Sequence, residues 1–94
     1  MIDIPMPPPS YYAAPPPSTM IELYLPAMTV DWLCRILGVR AGAGKRVYGC
    51  ASWQIGGCLV ILPRTDPQIT RADQDAIRLH EQAHCNGWPA DHPR

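Results

Sequence analysis

Proline is spread so unevenly that it divides this chain before any periodicity is read. Pro5, Pro7-Pro8-Pro9, Pro15-Pro16-Pro17 and Pro26 crowd the N-terminal side, out of twelve prolines in 94 residues. Each fixes φ and donates no backbone hydrogen bond, so such runs cannot enter a sheet ladder and favour polyproline II or disorder. The expected organisation is a disordered Pro-rich arm over residues 1–20, followed by one small folded domain over residues 21–94. The arm reads as a spacer or as a docking segment for an aromatic-lined groove on a partner. The remaining chain buries only a modest core, so a bound metal or a disulfide would matter to its stability.

Patterning within the domain predicts an α+β fold, with two main helices packed on a small antiparallel hairpin or three-stranded sheet. Thr29 to Leu37 reads as a helix, with Thr29 as cap, Trp32, Leu33, Ile36 and Leu37 at three- and four-residue spacing, and Gly38 as stop. Val47 to Gln54 and Cys58 to Leu62 read as two strands around an Ile55-Gly56-Gly57 bend. The second is apolar without alternation, as a strand covered on both faces would be. Ile21 to Leu25 can add a third strand. A last helix is expected from Thr70, whose hydroxyl and Asp73 form an approximate capping box, to Asn86-Gly87.

Charge and composition narrow the function classes. Formal net charge is zero and the eight basic residues form no run, which removes the electrostatic footprint of a nucleic-acid binder. No apolar stretch reaches the roughly 20 residues of a membrane span. Met1-Ile2-Asp3-Ile4-Pro5 does not read as a signal peptide, so the cytoplasm is the default expectation. Cys34, Cys50, Cys58 and Cys85 form no C-x-x-C pair, and in that compartment they are expected reduced and buried, with two disulfides as the alternative for an exported chain. Ala41 to Lys45 lacks the full phosphate-loop spacing, and Arg46 follows the lysine where Ser or Thr is required.

The chemistry lies on the last helix, in His80-Glu81-Gln82-Ala83-His84. Residues four apart project from one helix face, so His80 and His84 can reach one tetrahedral zinc at about 2.0–2.1 Å. Glu81 is rotated from them by about 100°, placing it to take a proton from water at the metal. Gly87 permits a reversal that brings Asp91 or His92 back as the third ligand.

His80-Glu81-Gln82-Ala83-His84-Cys85-Asn86-Gly87 resembles the start of the metzincin-type signature H-E-x-x-H-x-x-G-x-x-H/D of zinc metallopeptidases. The resemblance implies peptide-bond hydrolysis of a peptide or protein substrate, Zn2+ as cofactor, His80 and His84 as ligands and Glu81 as general base. It also implies that Cys58 to Leu62, or its hairpin partner, borders a substrate groove. Where the pattern places its third ligand this chain has Ala90, so His92 is taken as the ligand, with Asp91 either orienting a ring nitrogen or replacing His92. The alternative is a catalytically inactive module in which zinc only staples a small fold. Trp88 walls the site or packs in the core, and Tyr48, Trp53 and Tyr24 are the candidates for transition-state contacts.

Overall fold

The computed structural model describes residues 4–12, 19–42 and 44–92. Met1 to Asp3, the Pro15-Pro16-Pro17 run and Ala43 lie outside them. In chain order the elements are α1 (Pro9–Tyr12), β1 (Met20–Leu25), α2 (Ala27–Ile36), β2 (Cys50–Gln54), β3 (Gly57–Pro63) and α3 (Arg71–Cys85). The sheet runs β1-β3-β2, with β1 parallel and β2 antiparallel to the central β3. The expected α+β architecture is therefore present, with the three-stranded form of the sheet.

The continuous apolar run of β3 is explained by its place. Cys58, Val60 and Leu62 pack with Ile77 and Cys85 of α3, while Ile61, flanked by Leu59, packs with Val30 and Cys34 of α2. Alternate side chains leave a strand on opposite sides. The two helices therefore cover opposite faces of the sheet, and each face carries its own apolar cluster.

The cysteines are a correction. Cys34 of α2 is bonded to Cys50 of β2, and Cys58 of β3 to Cys85 of α3, so none of the four is reduced. All four are buried, as expected, but both pairs stand with Cα atoms 5.9 Å apart, within the reach of a disulfide. Each bond ties one helix to the sheet, one on each face.

Two element boundaries also move. α2 starts at Ala27, two residues before Thr29, with Pro26 as N-cap and the Val30 amide donating to the Pro26 carbonyl at 3.0 Å. A proline whose φ is already near −54° is preorganised for helix entry. A start at Thr29 would make Asp31 a first-turn acid, but with the start at Ala27 it lies beyond the first turn. Its Oδ1 accepts from the Val47 amide at 2.7 Å and from Arg35 Nε at 3.0 Å. That bond takes Val47 out of the ladder, and β2 begins only at Cys50. β1, by contrast, runs from Met20 to Leu25 and covers the predicted Ile21 to Leu25.

Candidate metal centre

α3 begins and ends where its sequence dictates. Thr70 Oγ1 accepts from the Asp73 amide at 3.1 Å, and Asp73 Oδ2 accepts from the Thr70 amide at 3.0 Å, completing the capping box. At the other end the Trp88 amide donates to the Ala83 carbonyl and the Gly87 amide to the His84 carbonyl, with Gly87 at φ 103°. This is a Schellman closure, which needs a left-handed residue at that place. It throws the chain back over the last turn of the helix. A second turn, closed by the His92 amide on the Pro89 carbonyl, brings the His92 side chain over the same face. His92 itself has φ 56°, an uncommon conformation for a side-chain-bearing residue and one that concentrates at functional sites.

The result is a triangle of imidazole nitrogens. His84 Nε2 lies 3.2 Å from His80 Nε2 and 3.0 Å from His92 Nε2, and His92 Nε2 lies 3.2 Å from His80 Nε2. These three histidines form a group able to hold a metal ion. Asp91, the other candidate third ligand, is exposed and lies outside that group among the described residues.

The outer nitrogens decide what the inner ones offer. His80 Nδ1 is 2.7 Å from the Pro5 carbonyl oxygen, and His84 Nδ1 is 2.7 Å from the Trp88 carbonyl oxygen. A carbonyl only accepts, so each Nδ1 carries a proton and donates it. In the neutral ring each Nε2 then presents a lone pair towards the triangle's centre. Neutral rings are what this place favours. Burial pushes His80 down to about 4 against the pull of the Pro5 carbonyl, and neighbouring His84 and His92 push the same way as burial. Burial lowers His84 as well, with His92 adding to it. Lone pairs 3.2 Å apart repel unless a cation lies between them. One proton joins a single pair, whereas one metal ion satisfies three nitrogens.

The spacing fits such an ion. Tetrahedral coordination at about 2.0–2.1 Å separates ligand atoms by about 3.3–3.4 Å, close to the separations seen. Three ligands on one side leave a fourth position free. Trp88 is 2% exposed and stacks on His84, with ring centroids 4.9 Å apart and planes 19° apart. It thus walls the site and belongs to the buried interior at once.

Glu81 lies beside the triangle and is buried. With no hydrogen bond to it from the described residues, burial alone pushes its carboxyl up to about 8. Gly49 makes room for it: a Cβ at that position would meet Ile77 Cγ2 at 2.7 Å and Glu81 Oε2 at 3.3 Å. The three histidines and Glu81 line one cleft of about 550 Å³, whose other wall is formed by Gly49, Cys50 and Ala51 at β2 and by Leu37 to Arg40 after α2. β3 is central, so of the two strands expected beside a groove it is the hairpin partner β2 that borders it.

Among the tyrosine and tryptophan candidates for transition-state contacts, Tyr48 lines a smaller adjoining cavity of about 160 Å³ with Glu81 and His80. Trp53 is exposed, and the Tyr24 hydroxyl donates to Glu22. Sequence reasoning missed the two carbonyls of Pro5 and Trp88, the open Cα of Gly49, and Arg40. Backbone acceptors leave no mark in residue identity, and only a conformation reveals them. Comparisons with protein-family profiles, with curated proteins and with solved structures yielded no match.

Proposed function

We propose that this chain is a compact zincin-type metallopeptidase that binds zinc through His80, His84 and His92 and hydrolyses peptide bonds with Glu81 as general base. The observation that carries the reading is the convergence of three Nε2 lone pairs beside a buried carboxyl in a single open cleft. Zinc bound there supplies Lewis-acid polarisation of a carbonyl and lowers the pKa of water.

The protein's own groups do the rest. The Pro5 and Trp88 carbonyls hold the His80 and His84 rings in the metal-binding tautomer. Glu81 takes the proton from the attacking water and delivers it to the leaving amine as the C–N bond breaks, so atoms and charge balance over one turnover. A carboxyl held near 8 by burial would be driven to ionise by a dication held on the three histidines, which would give the base form at neutral pH. Buried Trp88 excludes water from one side.

Arg40 lines the cleft, is exposed, and has no ion-pair partner among the described residues. It favours substrates that bring a carboxylate. The alternative of a zinc staple is weaker, because two disulfides already fasten both helices to the sheet and the three nitrogens leave a position open. The disulfides favour an oxidising compartment over the cytoplasm. Among the described residues no helix is long and apolar enough to cross a membrane.

The test is elemental analysis followed by peptide hydrolysis. The expected result is one zinc per chain, lost in His80→Ala, His84→Ala and His92→Ala, and cleavage abolished in Glu81→Gln with zinc retained. Absence of zinc after incubation with it removes the metal reading. Undiminished cleavage by Glu81→Gln removes the assigned base.

A further inference from the structure

His80 is oriented by a residue that lies 75 positions away in sequence and belongs to none of the sheet or its covering helices. Ile4 to Tyr12 crosses α3 as an irregular segment ending in the short α1. It is held at both ends and in the middle. Ile4 packs on the cluster of Cys58, Val60, Leu62, Ile77 and Cys85. Pro7 is buried, and Asn86 Nδ2 donates to the Tyr11 carbonyl at 2.9 Å. Between these holds the Pro5 carbonyl meets His80 Nδ1.

Proline suits this task. Residues without an N–H can lie against a helix and leave no donor unpaired, while their carbonyls remain able to accept. A stiff, extended backbone also loses little entropy when it is seated.

We propose that Ile4–Tyr12 is a strap that sets the metal affinity of the centre through the Pro5 carbonyl, so that lifting it from α3 weakens metal binding. This rests on the reading of the three histidines as a metal centre. The physical reason is tautomer control. Without an acceptor at Nδ1 the His80 ring is free to place its proton on Nε2 and to rotate, and both remove the lone pair that the metal needs. The strap also roofs the cavity of about 160 Å³ through Ile4 and Pro5, so its departure opens a second side of Glu81 to water.

The experiment uses the full chain with Zn2+ and Co2+ as probes. Pro7→Asp buries a charge beneath the strap, and Asn86→Asp removes the donor that holds Tyr11. Val30→Ala, in the buried cluster on the α2 side of the sheet and away from the cleft, serves as a control for lost stability alone. Zinc dissociation constants are measured by chelator competition at a temperature where circular dichroism shows every metal-free protein folded, and Co2+ ligand-field spectra are recorded alongside.

Both strap variants are expected to bind zinc about 10–100-fold more weakly, with altered Co2+ bands, while the control keeps the affinity and spectrum of the unaltered chain. Strap variants with unchanged affinity and spectrum overturn the proposal and leave the metal centre standing. An unaltered chain that takes up neither metal overturns the centre itself, and the strap's role with it.

Discussion

The Cys58–Cys85 bond offers a perturbation whose size follows from the structure. It closes a loop of 27 residues between the central strand and the end of the helix that bears the histidines. Constraining a loop of that length removes denatured-state entropy worth about 3.5 kcal/mol at 25 °C. A domain of this size has about 5–14 kcal/mol of total stability, so loss of the bond is a large fraction of it. Cys58→Ala/Cys85→Ala is therefore expected to lower the urea midpoint markedly and to steepen the slope, because the denatured chain without the crosslink exposes more surface. The Cys34–Cys50 pair, separated by 16 residues, is worth about 3 kcal/mol by the same relation. The two double variants should thus lose similar stability but differ in function. Only the first frees the last turn of α3, where His84 sits, and only it should weaken zinc binding. Urea unfolding of the metal-free proteins, with thiol titration to verify the remaining disulfide, measures the first point. A loss under about 1 kcal/mol would refute the assignment of this bond as a main fastening of the fold.

Further outcomes are expected at the site. In the metal-free protein Glu81 holds its proton to about 8 when folded, against 4.5 unfolded, so its contribution is complete below 4.5 and lost as pH rises towards 8. His80 runs the other way: its contribution is complete above 6.5 and lost as pH falls towards 4. The two slopes oppose each other between 4.5 and 6.5, so between pH 6.5 and 8 Glu81 alone should cost about 2 kcal/mol. Urea midpoints with chelator present should show this fall in the unaltered chain and none in Glu81→Gln; a flat profile in both contradicts the buried carboxyl. Gly49→Ala should destabilise by about 1–3 kcal/mol, because its methyl group collides with Ile77, and thermal unfolding checks it. Arg40→Ala should raise KM about fivefold for peptides bearing a carboxylate near the scissile bond and leave neutral peptides unaffected. Equal effects on both classes would remove Arg40 from substrate recognition.

Local chemistry was legible in the residues, and long-range partnership was not. The limits of α3 follow from Thr70, Asp73 and Gly87, whose roles are decided within one turn of chain. The double burial of β3 follows from its unbroken apolar run. The pairing of histidines four apart needs only helical geometry. By contrast, the parallel pairing of β1 with β3 depends on a crossover through α2, which no single segment encodes. Asp31 at a helix start reads as a first-turn acid, yet its carboxylate serves an amide 16 residues away. The reading of reduced thiols came from the N-terminal residues and the lack of C-x-x-C spacing, neither of which carries the distance between Cα atoms. His92 was placed by counting residues past Gly87, but the turn that returns it appears only in the dihedral angles.

The opposed faces of β3 bear on how the oxidised protein is made. Four cysteines permit three pairings. Cys34 and Cys50 stand on the α2 side of the sheet, Cys58 and Cys85 on the α3 side. Once the strands are paired, the sheet acts as a partition, and each non-native pairing would have to thread a bond through it. Only one pairing keeps every thiol with its neighbour across the same compartment. Oxidation after sheet formation is then self-sorting, and a reduced chain refolded before air is admitted needs no isomerase to reach the native bridges.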